Sequence, residues 1–410
     1  MKDKLKYKRI VSLCAGVILN LLGGISYAWS VLIIPLNQKY SWSVTELSLG
    51  YTLLSMTTLI ANLLLVPVIR ERLNVKQTIL LGGVLYGLGI AFSGFTSNVM
   101  LFYLSFPIIA GIGCACIYPV LIAYSQKLFP KQAGFASGMM TLGMGLGAAV
   151  WAPCADFLLT VTGDVSKVLF IMGVFFLIAI FLVSRFIESE NSFSVSNLDI
   201  KNTTLGIRGE CRRKEMLRDP VFYLTYGCLL SCAICGSMVI SHGSPILQEL
   251  FLFDRSKAAV FVSIFSLANT VGRPIGGYLS DRIGRMSLLG ILPAICCASM
   301  LCILLHGSQL PPIIAFILIM LSFGGMASLV APITKDFWGE RYLVENYGIT
   351  FSVFGISSLI GPSLAAKLYI RSGNYMPSFV AGSLFALLGF FLFVMIKFAI
   401  RETTQRGNEI

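Results

Sequence analysis

The chain has 410 residues, of which 56% are hydrophobic and 12% charged, and its mean hydropathy is +0.83. A soluble domain carries roughly a quarter charged residues, so this composition excludes an ordinary soluble enzyme or binding domain. The net charge of +12 does not describe a nucleic-acid-binding face either, because the charges lie between long apolar runs.

Those runs fall at about 10–34, 44–69, 77–97, 100–126, 133–160, 165–187, 220–246, 258–279, 286–306, 311–333, 346–369 and 376–399. About 20 apolar residues of helix cross a ~30 Å hydrocarbon core, so the expectation is an all-α membrane protein with twelve transmembrane helices. The basic segment Lys2 to Arg9 lacks a small-residue cleavage site after it and reads as part of a retained first helix. A polar segment at 188–218, with Arg208, Arg212, Arg213, Lys214 and Arg218, separates six runs from six. It divides the chain into an N-terminal bundle (1–187), a cytoplasmic linker (188–218) and a C-terminal bundle (219–410). Of the 31 Lys and Arg, 24 lie on the side of the termini and the linker. The opposite side holds Lys39, Lys167, Arg255, Lys257, Lys367 and Arg371. The positive-inside rule then predicts a multi-pass protein of the cell membrane with both termini cytoplasmic.

The eleven cysteines fall almost entirely in apolar runs, Cys211 excepted, and form no metal-ligand spacing. No metal or cofactor is expected. No Ser/His, HExxH or paired-carboxylate arrangement suggests an enzyme.

The connection after the second run, Pro67 to Lys76, aligns with Gly277 to Met286 in the second half. Glu71 and Arg72 fall on Asp281 and Arg282, and Asn74 falls on Gly284. The repeat predicts two pseudo-symmetric six-helix bundles. Asp281, Arg282, Arg285, Glu71 and Arg72 are the candidate gating residues. The acid can pair with arginines and a helix terminus across the seam and hold the cytoplasmic side closed.

The apolar run 258–279 carries Arg273 about 15 residues in, or roughly 22 Å at 1.5 Å per residue. An arginine inside a span costs about 3 kcal/mol on insertion scales and usually marks a substrate or ion path. Asn269 is one turn away on the same face, and the guanidinium is a planar fork of donors suited to a carboxylate. Pairing with a structural acid or with helix-end carbonyls is the plainer alternative. Most other spans carry no acid at comparable depth, which favours the substrate reading. Asp156 and His242 read as polar residues near the outer ends of their helices, and Glu46 as a first-turn acid. Tyr27, Tyr118 and Trp151 are aromatic candidates for a substrate cavity, with packing as the competing role.

The second-half loop matches the cytoplasmic-loop signature of the major facilitator superfamily. Further motifs are Gly24 to Val31, Gly111 to Tyr118, Lys127 to Gly134, Gly143 to Gly147, Phe323 to Met326, Pro332 to Gly339 and Asn269-x-x-x-Arg273-Pro274. Together they resemble the oxalate/formate antiporter family of that superfamily and its relatives, the monocarboxylate transporters. The resemblance implies the major facilitator fold and secondary transport of small organic anions by alternating access, with protons or a counter-anion as coupling partners. It puts Tyr118 at the family's helix 4 tyrosine, and Phe354 where oxalate antiporters carry a second cation, a lysine. Animal monocarboxylate transporters carry a lysine where Val31 stands and an aspartate where Asn269 stands. One arginine without a second cation suits a single carboxylate, because a second negative charge in a dry site costs several kcal/mol. The expectation is a transporter of small monocarboxylates, with Arg273, Asn269, Tyr118, Phe354, Tyr27 and Trp151 at the substrate site. An efflux transporter of amphipathic compounds and a transporter-like carboxylate sensor are the alternatives.

Overall fold

The computed structural model describes residues 2–24, 29–188, 206–304 and 310–407, which fall into two compact units, 1–204 and 205–410. In the first unit, α1 (Lys2–Leu22) and α2 (Trp29–Tyr40) flank the stretch 25–28, so Tyr27 lies outside the described residues. Next come α3 (Val44–Arg72) and α4 (Val75–Ser93), then α5 (Val99–Tyr103). A π-helical turn, Leu104–Ala110, carries α5 into α6 (Gly111–Leu128). Pro107 sits in that turn, where its missing N–H suits a locally loosened hydrogen-bond ladder. The unit closes with α7 (Ala133–Gly145), α8 (Gly147–Thr162) and α9 (Val165–Val183).

The second unit contains a short α10 (Arg213–Met216) and six long helices. These are α11 (Pro220–Leu250), α12 (Arg255–Ile283), α13 (Arg285–Leu304), α14 (Leu310–Trp338), α15 (Leu343–Ser372) and α16 (Met376–Gly407). Among the described residues, ten helical stretches are long and apolar enough to cross a membrane. The other two expected spans are the divided α1–α2 pair and α12, where Asn269, Thr270 and Arg273 lower the hydropathy. Large apolar side chains such as Phe92, Phe157 and Leu384 are exposed. For a membrane protein, these face acyl chains rather than water.

Helix ends follow local chemistry. Ser43 with Glu46, and Asn74 with Gln77, form reciprocal caps at the starts of α3 and α4. Asp164, Asp219 and Asp254 accept backbone N–H groups at the starts of α9, α11 and α12, as short polar residues do at N-caps. Glu46 is therefore the first-turn acid expected of it. Packing inside each unit relies on small residues. A Cβ on Gly173 of α9 would lie 2.3 Å from the Ala91 nitrogen of α4, a backbone approach typical of membrane helices.

Residues 206–218, expected as part of the linker, fold onto the second unit. Ile207, Arg208 and Cys211 N–H groups donate to the carbonyls of Asp336, Phe337 and Trp338 at 2.8, 2.9 and 3.0 Å.

At the end of the first unit opposite the N-terminus, Lys39 Nζ donates to Asp164 Oδ1 at 2.5 Å and to Ser166 Oγ at 2.6 Å. The Lys39 ammonium, then the Ser166 N–H, hold the Asp164 carboxyl below the usual aspartate range. A carboxyl with a lowered folded value adds stability above its unfolded value and loses it as pH falls through the lowered one. Asp164→Asn is thus expected to melt below the wild type at neutral pH, with the gap closing in acid. A pH-independent gap would remove the carboxylate from this link.

Candidate functional site

A buried charge of the second unit lies mid-helix on α12. Arg273 and Asn269 are each only 7% exposed, and Arg273 Nε donates to Asn269 Oδ1 at 3.4 Å. The i, i+4 spacing thus becomes a contact that orients the guanidinium along the helix. Thr270, also buried, sits beside them with its hydroxyl turned back to the Ser266 carbonyl at 3.0 Å.

The position of this pair is set by how α12 meets α14. A Cβ on Gly272 would lie 2.4 Å from the Leu321 carbonyl oxygen, and one on Gly276 2.3 Å from the Gly325 Cα. From the other side, a Cβ on Gly324 would lie 2.0 Å from the Asn269 carbonyl oxygen. Gly272 and Gly276 are one turn apart and bracket Arg273. The two backbones meet along this small-residue stripe, and the adjacent face carries Asn269 and Arg273. Sequence reasoning passed over these glycines, although the Gly-x-x-x-Gly spacing around Arg273 was a readable signal.

Phe354 is half-buried in an aromatic patch. Its ring meets Phe323 edge-on at 5.4 Å and Phe351 at 4.9 Å, and Phe351 continues to Tyr347 at 5.3 Å. Phe323 lies across Gly236 of α11 and immediately precedes Gly324. α12 packs chiefly on α14, and α15 packs on α11 and α14. In the first unit Tyr118 is buried on α6. Trp151 is also buried, and its indole N–H donates to the Leu21 carbonyl at 2.6 Å. Its ring stands edge-on to Phe176 at 4.8 Å, so it touches α1 and α9 from α8. Asp156 is exposed. His242 bonds the Tyr375 hydroxyl at 3.2 Å and the Pro362 carbonyl at 3.1 Å.

Among the described residues, the proposed gating residues of the second unit form a network. Arg285 pairs with Asp336 of α14, lies 3.9 Å from Asp281 and donates to the Pro332 carbonyl at 3.5 Å. Both of these carboxylates belong to the same unit as Arg285. Arg282 instead stacks over the Tyr278 ring at 5.1 Å. The network extends further: Lys335, itself buried, pairs with Glu340 at 2.7 Å. Glu210 accepts the N–H groups of Glu340 and Arg341 at 3.2 and 2.8 Å. Asp219 accepts the Trp338 indole N–H at 2.9 Å. Asp336, Lys335, Glu340 and Glu210 were not singled out from sequence, because they lie 50 or more positions from Arg285 and only folding collects them.

The first-half copy is built differently. Gly284 ends α12 at φ +89°, a conformation that favours glycine. Asn74 at the equivalent position has φ −72° and caps α4. Arg70 closes the loop by donating to the Leu73 carbonyl at 2.8 Å, and Glu71 and Arg72 are exposed.

A matched pair of substitutions tests the α12–α14 contact. Gly324→Ala puts a methyl into a backbone carbonyl, and overpacking of this kind costs about 1–3 kcal/mol. At Gly325 the added Cβ would sit 3.4 Å from the Gly276 Cα, ordinary contact. The expected result is a clearly lowered melting temperature for Gly324→Ala and little change for Gly325→Ala. Equal effects would mean that the stripe does not set the helix spacing.

The profile described as Major Facilitator Superfamily matches residues 13–362, and again 244–409. The chain is 26% identical to the uncharacterized MFS-type transporter YhjX of Escherichia coli over 352 residues, 86% of each chain. It is 24% identical to the oxalate:formate antiporter of Oxalobacter formigenes over 396 residues, 94% of this chain and 90% of that one. It is also 24% identical to human monocarboxylate transporter 6 over 368 residues, 82% and 70% of the two chains. Among solved structures, the proton:xylose symporter XylE superposes with a TM-score of 0.72 at 12% identity, covering 96% of each chain.

Proposed function

The chain belongs to the Major Facilitator Superfamily, and on that footing we propose that it carries small organic anions, monocarboxylates above all, across the cell membrane by alternating access. It is a multi-pass membrane transporter related to the oxalate:formate antiporter and to monocarboxylate transporters. The choice of substrate class rests on one observation, the Asn269–Arg273 pair buried in a helix of spanning length.

A guanidinium in a low-dielectric site is costly unless an anion or a set of acceptors answers it. Asn269 engages Nε, and the planar fork beyond Nε has the geometry to take both oxygens of one carboxylate. Phe354, in its aromatic patch, supplies apolar surface at the position where oxalate antiporters are expected to carry a lysine. One fixed positive charge together with apolar surface favours a monoanion with a small apolar remainder over a dianion. Tyr118 is a further candidate on the first bundle, and Tyr27 keeps the standing it has from sequence. The bundles 1–187 and 219–410 would rock as units joined by 188–218, with both termini in the cytoplasm as the Lys and Arg distribution asks. The Asp281–Arg285–Asp336 network would stiffen the cytoplasmic end of the second bundle during that motion.

The test is uptake of a labelled monocarboxylate such as lactate, pyruvate or formate into proteoliposomes. Arg273→Gln should abolish saturable uptake while the protein remains monodisperse and melts cooperatively. Arg273→Lys, which keeps the charge but loses the fork, should recover only a small part of it. Full uptake by Arg273→Gln would make the arginine structural. Stronger thermal stabilisation by dicarboxylates than by monocarboxylates would overturn the argument from Phe354.

A further inference from the structure

A second site is built on the lipid-facing side of the first unit. Between α4 and α9 runs a groove of about 210 Å³ lined by Leu80, Gly83, Val84, Leu177, Ile180 and Phe181. A water occupies about 30 Å³, so the groove has room for much more than a solvent molecule. Its walls, however, offer water almost no polar partner. Val84 and Phe181 are 44% and 50% exposed, so the groove opens outward, toward acyl chains in a membrane protein. Gly83 forms its floor: a Cβ there would meet the Ile180 side chain at 2.4 Å.

One end of the groove is cationic. Lys76 precedes Leu80 by one helical turn, and Arg185 follows Phe181 by one turn. The two are held together there, since Lys76 Nζ donates to the Arg185 carbonyl at 3.5 Å. The Arg185 guanidinium lies 4.9 Å from the centroid of the Phe181 ring, itself a wall of the groove. The first turn of α4 begins at Val75 and brings the positive end of the helix dipole to the same place. The nearby acid Glu188 is engaged by Lys8 at 2.8 Å. From Lys76 to Val84 is about 12 Å along the helix axis at 1.5 Å per residue. An anionic headgroup at one end and hydrocarbon below it is the chemistry of a phospholipid.

We propose that the α4–α9 groove is a binding site for an anionic phospholipid, with its phosphate between Lys76 and Arg185 and one acyl chain along Leu80, Val84, Leu177 and Phe181. The proposal is independent of the transported substrate. A neutral protein helix could fill the apolar part, but would bring no anion to the two cations at its end. A phospholipid answers both halves of the site, and a bilayer presents it at high local concentration.

The experiment uses the full chain in nanodiscs of phosphatidylglycerol and phosphatidylcholine in equal parts, with retained lipids counted by native mass spectrometry. The wild type should retain phosphatidylglycerol preferentially. Lys76→Gln combined with Arg185→Gln should weaken that retention roughly 30-fold, since each basic side chain near an anionic lipid surface contributes about fivefold. Val84→Trp fills the groove from an exposed position that does not challenge folding, and should reduce retention with both cations in place. Equal retention of the two lipids by the wild type would overturn the proposal, as would unchanged retention in the double variant. Loss in the double variant with full retention in Val84→Trp would reduce the site to surface charge and overturn the groove. A change of oligomeric mass in Val84→Trp with phosphatidylglycerol still bound would assign the groove to a protein helix instead.

Discussion

A guanidinium buried within a membrane-spanning helix has to be held in place by its surroundings, because the bilayer offers it nothing. In this protein the holding is done by backbone contact. Gly272 and Gly276 on α12, and Gly324 on α14, allow the two helices to approach until a single added methyl would strike a carbonyl. Helices packed this closely cannot rotate about their axes without separating, so the face carrying Asn269 and Arg273 is fixed relative to α14. The hydrogen bond between the two side chains then sets the plane of the guanidinium. Site chemistry and helix packing are the same feature viewed from adjacent faces of α12.

The two loop copies show how one repeat can be stabilised by different means. In the second half, a glycine at positive φ ends α12 and directs Arg285 toward Asp336 and Asp281. In the first half, an asparagine cap and the Arg70–Leu73 contact close the turn at ordinary backbone angles. The first copy therefore tolerates the loss of its glycine and its acid pairing. The second copy has become the centre of a wider network that takes in Lys335, Glu340, Glu210 and Asp219. Charge is concentrated at the end of the bundle where residues 206–211 dock, which joins the connecting segment mechanically to the α14–α15 turn.

Both lipid-facing and interior features draw on the same economy of polar groups in an apolar phase. Arg273 is answered from within its helix and by the substrate proposed for it. Lys76 and Arg185 sit where a span leaves the hydrocarbon, and there a lipid phosphate can answer them. Aromatic side chains divide similarly between roles: Trp151 is committed to Leu21 and Phe176, while Phe354 belongs to a patch that reaches Phe323 and the α12–α14 contact.

The sequence by itself determined the spans, the six-plus-six repeat, the first-turn place of Glu46 and the Asn269–Arg273 pair. Each of these is written in hydropathy or in spacings of three to four residues, over which helical geometry leaves no freedom. Glu46 could be assigned to a helix start for the same reason. Tertiary structure alone decided which carboxylate takes Arg285, which groups Trp151 touches, and how closely α12 meets α14. Asp336 is 51 positions from Arg285, and Leu21 is 130 from Trp151. Nothing local links such residues, because helix packing rather than chain distance brings them together. Arg273 lies between these cases: its depth could be read from the run around it, while its setting depended on glycines from two helices.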